Sequence, residues 1–274
     1  MNKFKLLLII VCAHTIILEN SLKAQSKSDA GELFKVAIAG YTFVHFNLDE
    51  TLKMMKEVDV HYLCIKDFHL PLNSTDEQIA AFHAKLASYD VTGYAVGPIY
   101  MKTKEEVDKA FDYAKRVGVK LIVGVPNHEI LPYVDQKVKE YDFKYAIHLH
   151  GPDIKLYPNA KDIYENVKNL DARIGMCLDI GHDARDGQDP IADLKKYKDR
   201  VFDIHMKNTT AAAKEGKTGE IGRGVIDIPS FVKMLRKVKY TGACSLEYER
   251  NMKAPLAGIA ESIGYFRGVI DATK

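Results

Sequence analysis

With 274 residues, 47% of them hydrophobic and 28% charged, the chain can bury one large core and has the composition of an ordinary globular protein. Its 39 Lys and Arg against 37 Asp and Glu leave a formal net charge of +2, which offers no electrostatic footprint for nucleic acid or an anionic membrane.

The first 25 residues read as a secretory leader. Asn2-Lys3-Phe4-Lys5 is a basic start, residues 6–18 are almost wholly apolar, and Ser21-Leu22-Lys23-Ala24-Gln25 ends in small and polar residues. A membrane anchor is the lesser reading, because the apolar run falls short of the roughly 20 residues that span a bilayer. The expectation is therefore a mature chain of residues 26–274, periplasmic or secreted, with no membrane span. Cys64, Cys177 and Cys244 remain, an odd number, each in an apolar strand-like run. They read as buried hydrophobes rather than a disulfide framework, which suits a bacterial periplasm.

Short apolar runs then alternate with amphipathic stretches. A strand at 36–39 precedes a helix near 48–58, with Leu52, Met55 and Val58 on one face. A strand at 62–68 leads to a helix from about residue 76, with Ser74 or Thr75 as its N-cap. A strand at 92–96 is followed by a charged helix at 104–116, closed by Gly118. The next pairs are 121–125 with 130–141, 145–150 with 162–170, and 174–180 with 191–197. The last two are 201–206 with 229–238, and 243–248 with 256–270. Eight strand–helix units predict an α/β fold, a single (β/α)8 TIM barrel. An open doubly wound sheet is the alternative, but Gly40-Tyr41-Thr42 lacks the glycine spacing of a dinucleotide turn.

In such a barrel the chemistry gathers at the C-terminal ends of the strands. Those ends read His148-Leu149-His150, Asp179-Ile180-Gly181-His182, Asp203-Ile204-His205-Met206-Lys207 and Glu247-Tyr248-Glu249. A lone histidine at a strand end is more often hydrogen-bonded structure than a ligand. Four consecutive strands ending in potential ligands favour a divalent metal, and imidazole with carboxylate suits Mn, Zn, Co or Fe rather than Ca.

The chain resembles the xylose-isomerase-like barrels, which include sugar isomerases and epimerases, inosose and dehydroshikimate dehydratases and endonuclease IV. The resemblance covers nearly the whole mature chain. It is carried by Leu178-Asp179-Ile180-Gly181-His182, Asp203-Ile204-His205-Met206-Lys207, Gly222-Arg223-Gly224-Val225-Ile226-Asp227 and Ser245-Leu246-Glu247. In that family the strand-six Asp, strand-seven His and strand-eight Glu bind the metal, which implies Asp179, His205 and Glu247 here. The family usually has a Glu on strand five, where this chain has His148. We expect His148 as the fourth ligand, with His150 as the alternate. The exchange removes a candidate base and tells against simple two-base epimerisation.

Lys66 and Lys207 are candidate proton carriers or carbonyl polarisers, and a plain salt bridge is the equal reading for Lys66. His182, Arg223 and Glu249 are candidate substrate contacts, and His182 could instead ligate the metal or orient Asp179. His69 is expected on a surface loop. Gly222-Arg223-Gly224 could hold a phosphate, but a loop closing over the site is preferred. Tyr41, Phe43, Tyr94 and Tyr100 either line the mouth or fill the barrel.

The expected reaction is proton abstraction beside a carbonyl of a non-phosphorylated sugar or keto-sugar, with Glu247, Lys66, His150 or Lys207 moving the proton. Lyase or hydratase chemistry on a 3-keto-glycoside is the alternative, and a non-catalytic sugar-binding barrel is the rival of another class. The near-neutral charge and the leader oppose a nuclease. The expected partner is a small carbohydrate, and analogy with related barrels suggests a homodimer.

Overall fold

A computed structural model describes residues 31–274; the leader-like segment at 1–25 lies outside the described residues. Eight parallel strands close into a barrel in sequence order. They are β1 (Lys35–Ala39), β2 (Tyr62–Ile65), β3 (Thr92–Met101), β4 (Leu121–Pro126), β5 (Lys144–His148), β6 (Ile174–Asp179), β7 (Val201–Met206) and β8 (Ala243–Leu246). Closure is made by β1, which pairs in parallel with both β2 and β8.

The helices start where the side chains permit. Asn47 with Glu50, Thr75 with Gln78 and Thr103 with Glu106 each form a capping box, satisfying backbone donors of the first turn at both ends of the exchange. Thr75, not Ser74, is therefore the cap of the second helix. Gly118 ends the third helix at φ +79°, a left-handed conformation that glycine adopts without steric cost.

Larger side chains such as Ile38, Leu63, Phe111 and Phe231 pack between strands and helices. Inside the barrel, Cys64, Ala95, Val123, Ala146 and Cys177 form a separate cluster of small residues. Cys64, Cys177 and Cys244 are all buried and unbridged, as their apolar surroundings predict. Among the described residues no helix is long and apolar enough to cross a membrane.

Several boundaries differ from the sequence expectation. β2 stops at Ile65, because the carbonyl of Lys66 accepts from the N–H groups of His69 and Leu70 and turns the chain. β3 runs on to Met101, five residues past its expected end at 96. A short helix, Ile180–Arg185, follows β6 directly, and a two-stranded antiparallel ribbon joins Asn208–Thr209 to Thr218–Gly219. Neither was expected, since both are too short to carry a periodic pattern.

Candidate metal centre

Side chains two residues apart on a strand face the same way. Cys177 and Asp179 thus share a face on β6, as do Asp203 and His205 on β7, and the register sets Cys177 beside Asp203 and Asp179 beside His205. On β8, Ser245 pairs with His205, and the backbone N–H of Glu247 still donates to the carbonyl of Met206. Inward residues of neighbouring strands therefore stack in levels up the barrel axis.

One level unites His148, Asp179, His205 and Glu247. All four are buried, and each offers a donor atom within 4.8 Å of the others. His148 Nε2 lies 3.0 Å from His205 Nδ1, while Glu247 Oε2 lies 3.2 Å from His205 Nδ1 and 3.7 Å from His148 Nε2. Two imidazole nitrogens and two carboxylates converging in a buried space fit a divalent transition ion, by both donor chemistry and spacing. At strand five the structure brings His148 into this set. His150 instead hydrogen-bonds through Nε2 to the Tyr100 hydroxyl at 2.8 Å.

Lys207 stands beside the donors. Its ammonium lies 3.0 Å from Asp179 Oδ2, 2.8 Å from Glu247 Oε2 and 2.8 Å from Glu249 Oε2, and its side chain is 1% exposed. Burial works against its charge, but these three carboxylates hold its pKa well above the usual lysine range. Burial likewise opposes the Glu247 carboxylate, yet Lys207 and His205 hold it well below the usual range. The lysine stem passes directly over Gly181. A Cβ there would sit 2.7 Å from Lys207 Cγ and 2.8 Å from its Cβ, so the glycine is required by close approach. Gly181→Ala is expected to push the ammonium off its carboxylates and destabilise the fold by about 1–3 kcal/mol, measured by urea unfolding. Unchanged stability would show that the lysine has other room.

A cavity of about 390 Å³ opens above, lined by Tyr41, Lys66, Tyr100, His150, His182 and Glu249, with His148 and Glu247 also facing it. His182 donates its backbone N–H to Asp179 at 2.8 Å, and its Nε2 lies 3.2 Å from the Lys207 ammonium. Burial lowers the pKa of His182 to about 3, and burial with His148 lowers that of His150 to about 4, so both rings are neutral at pH 7. Lys66 reaches the cavity wall and pairs with Asp67 at 2.6 Å. Of the four aromatics, Tyr41 and Tyr100 line the cavity, Phe43 joins the outer core and Tyr94 points into the barrel.

Arg223 does not join them. Its side chain is 64% exposed, and its guanidinium pairs with Glu261 on the last helix. The expected substrate contact thus stands outside the residues that line the cavity, and the reason lies in the next residue. A Cβ at Gly224 would meet Asn208 Oδ1 at 2.2 Å, and that same oxygen accepts from the N–H groups of Thr209 and Ile226. The glycine lets the loop dock on buried Asn208, and the docked loop carries Arg223 outward. His69 is also away from the cavity, with Nε2 3.0 Å from the Phe46 carbonyl oxygen.

One buried carboxylate escaped sequence reasoning. Asp183 is fully buried, and one of its oxygens accepts from the N–H of Ala160 at 3.3 Å. Burial, reinforced by Asp193, pushes its pKa well above the usual range. A raised carboxylate pKa means the folded state prefers the protonated form. The resulting penalty is absent below the unfolded pKa of about 3.9 and complete above the folded pKa. Asp183→Asn keeps the acceptor oxygen and removes the charge, so it is expected to raise Tm at pH 7 and to lose that advantage near pH 4. A variant with a lower Tm at pH 7 would show that the charge is needed.

Residues 35–269 match the family model described as xylose isomerase-like TIM barrel. The rhizopine catabolism protein MocC of Rhizobium meliloti is 27% identical over 131 residues, which cover 42% of this chain and 40% of that protein. The chain thus spans about two fifths of the length of this curated relative. Among solved structures, the IolI protein with a bound zinc atom superposes with a TM-score of 0.72 at 17% identity, covering 88% of this chain and 99% of that one. A D-tagatose 3-epimerase-like protein gives 0.70 at 14% identity, covering 88% and 98%. At these identities the two structures show a shared fold.

Proposed function

The chain belongs to the xylose isomerase-like TIM barrel family, and from that premise we propose that it is an exported, divalent-metal-dependent isomerase or epimerase of a non-phosphorylated sugar or keto-sugar. The observation that carries this reading is the buried four-donor cluster His148, Asp179, His205 and Glu247, two of whose members face the cavity. The zinc held by IolI and the name of the epimerase-like neighbour support it. A Mn, Zn, Co or Fe ion bound there supplies Lewis acidity toward a carbonyl and its neighbouring hydroxyl.

The chain's own groups divide the remaining work. His150, neutral and oriented by the Tyr100 hydroxyl, takes the proton beside the carbonyl. Lys207 is charged and enclosed by carboxylates, so it serves as a hydrogen-bond donor rather than a base. Glu249 and His182 contact sugar hydroxyls from the cavity wall. Lys66 polarises the substrate from the turn just after strand two, across the barrel mouth from His150. A phosphorylated sugar is disfavoured, because Lys66 is paired with Asp67, Lys207 is surrounded by carboxylates and Arg223 is paired outside.

The imidazole of His148, in place of the strand-five carboxylate implied by the family resemblance, favours a second reading: elimination or hydration of a 3-keto-glycoside at the same site. Both readings share the proton abstraction and are tested together. The metal-loaded chain, incubated with free sugars and 3-keto-glycosides in D2O, is expected to exchange the proton beside the carbonyl, followed by NMR. His150→Ala should slow that exchange by about 10²–10⁴-fold with metal content unchanged. No exchange with either substrate class overturns the enzyme reading and leaves a sugar-binding barrel. Export rests on the leader-like start, and a periplasmic product that begins near residue 26 is its expected signature.

A further inference from the structure

Beneath the four donors the barrel holds a second polar level that the chemistry above does not use. His205 turns Nδ1 toward Glu247 and His148, at 3.2 and 3.0 Å, so its Nε2 points down the barrel axis. That nitrogen is buried and makes no hydrogen bond. The nearest carboxylate oxygen is Asp203 Oδ2, 3.9 Å away and fully buried.

Asp203 is itself held in place. The Tyr94 hydroxyl lies 3.1 Å from each of its carboxylate oxygens, the Cys177 thiol is 3.9 Å from Oδ2, and the hydroxyls of Tyr94 and Ser245 touch. A carboxylate among the small residues of a barrel interior is costly unless it serves a partner. An imidazole that gives one nitrogen to a metal must be neutral and must carry its proton on the other, and that N–H needs an acceptor. Orphaned Nε2 and a carboxylate already fixed from behind are the two halves of such a contact.

We propose that Asp203 is the positioning residue of the metal centre. Its carboxylate, 3.9 Å away, is the acceptor toward which the Nε2–H of His205 turns in the tautomer that leaves Nδ1 free for the ion, while Tyr94, itself touched by Ser245, holds the carboxylate. This inference rests on the metal reading of the site. It concerns a residue that touches neither substrate nor metal.

The test compares the parent chain, Asp203→Asn and Tyr94→Phe. Affinity for Zn²⁺ and Co²⁺ is measured by chelator competition, and the tautomer of His205 by ¹⁵N NMR of the ring nitrogens in the zinc form. Asp203→Asn is expected to weaken binding by about 10–100-fold. Tyr94→Phe should weaken it by a smaller factor, and the His205 signals should shift in both variants. Should Asp203→Asn fail to fold, Tyr94→Phe alone decides. A parent that binds neither ion overturns the metal reading and this one together. A parent that binds one ion, with affinity and tautomer unchanged in the variants, overturns the positioning role alone. The donors of Cys177, Asp203 and His205 also lie within 4.8 Å of one another. Two ions per parent chain, one of them lost in Cys177→Ser, would make Asp203 a ligand of an inner ion and likewise overturn the positioning role.

Discussion

Replacing either Asp179 or Glu247 by alanine is expected to strip the chain of metal. Purified without chelator, the parent should carry about one transition ion, as a closed four-ligand set predicts, and elemental analysis should find none in either variant. Each substitution removes one of two carboxylates, and the remaining site keeps too little charge to offset the desolvation of a divalent ion. The same substitutions take a partner from Lys207, whose ammonium lies 3.0 Å from Asp179 and 2.8 Å from Glu247. A buried charge that loses a partner costs about 3–5 kcal/mol. The variants should therefore also unfold at lower urea, Glu247→Ala more so because His205 loses its 3.2 Å contact as well. A parent without metal, even after Mn²⁺, Zn²⁺ or Co²⁺ is added, would sink the metalloenzyme reading.

Lys207→Met is expected to be the most destabilising change in the metal-free protein. The side chain is nearly fully buried, and its ammonium stands between the carboxylates of Asp179, Glu247 and Glu249. Methionine fills much of the same volume over Gly181 but leaves three carboxylates facing one another. The expected loss is about 3–5 kcal/mol in chelator-treated protein, read from urea unfolding. An added divalent ion neutralises two of those carboxylates, so the loss should shrink when the experiment is repeated with Zn²⁺ or Mn²⁺. Equal losses with and without metal would mean that the lysine stabilises the fold independently of the ligand set. No loss at all would mean that the carboxylates are protonated in the parent.

Much of this was legible in the chain. Short apolar runs alternating with amphipathic stretches announced eight β/α units, because run length and helix period are local properties. The ends of strands five to eight announced a candidate donor set, because a parallel barrel carries all its strand C-termini to one mouth. The placement of Arg223 was not legible, for a physical reason. Whether a loop closes inward or docks outward depends on Asn208, 15 residues earlier, and on the close approach that only a glycine at 224 permits. The short helix after β6 was missed because Asp179 caps it with the side chain that also faces the donors, and six residues are too few to show a period.

By itself, then, the sequence determined the barrel, its element order and which strand ends carry donors, since each follows from spacing along the chain. Only the tertiary structure brought His148, the residue expected first, into one buried set with Asp179, His205 and Glu247, and enclosed Lys207 among carboxylates. Those are distances between strands, set by barrel closure and register, and no pattern along a single strand encodes them.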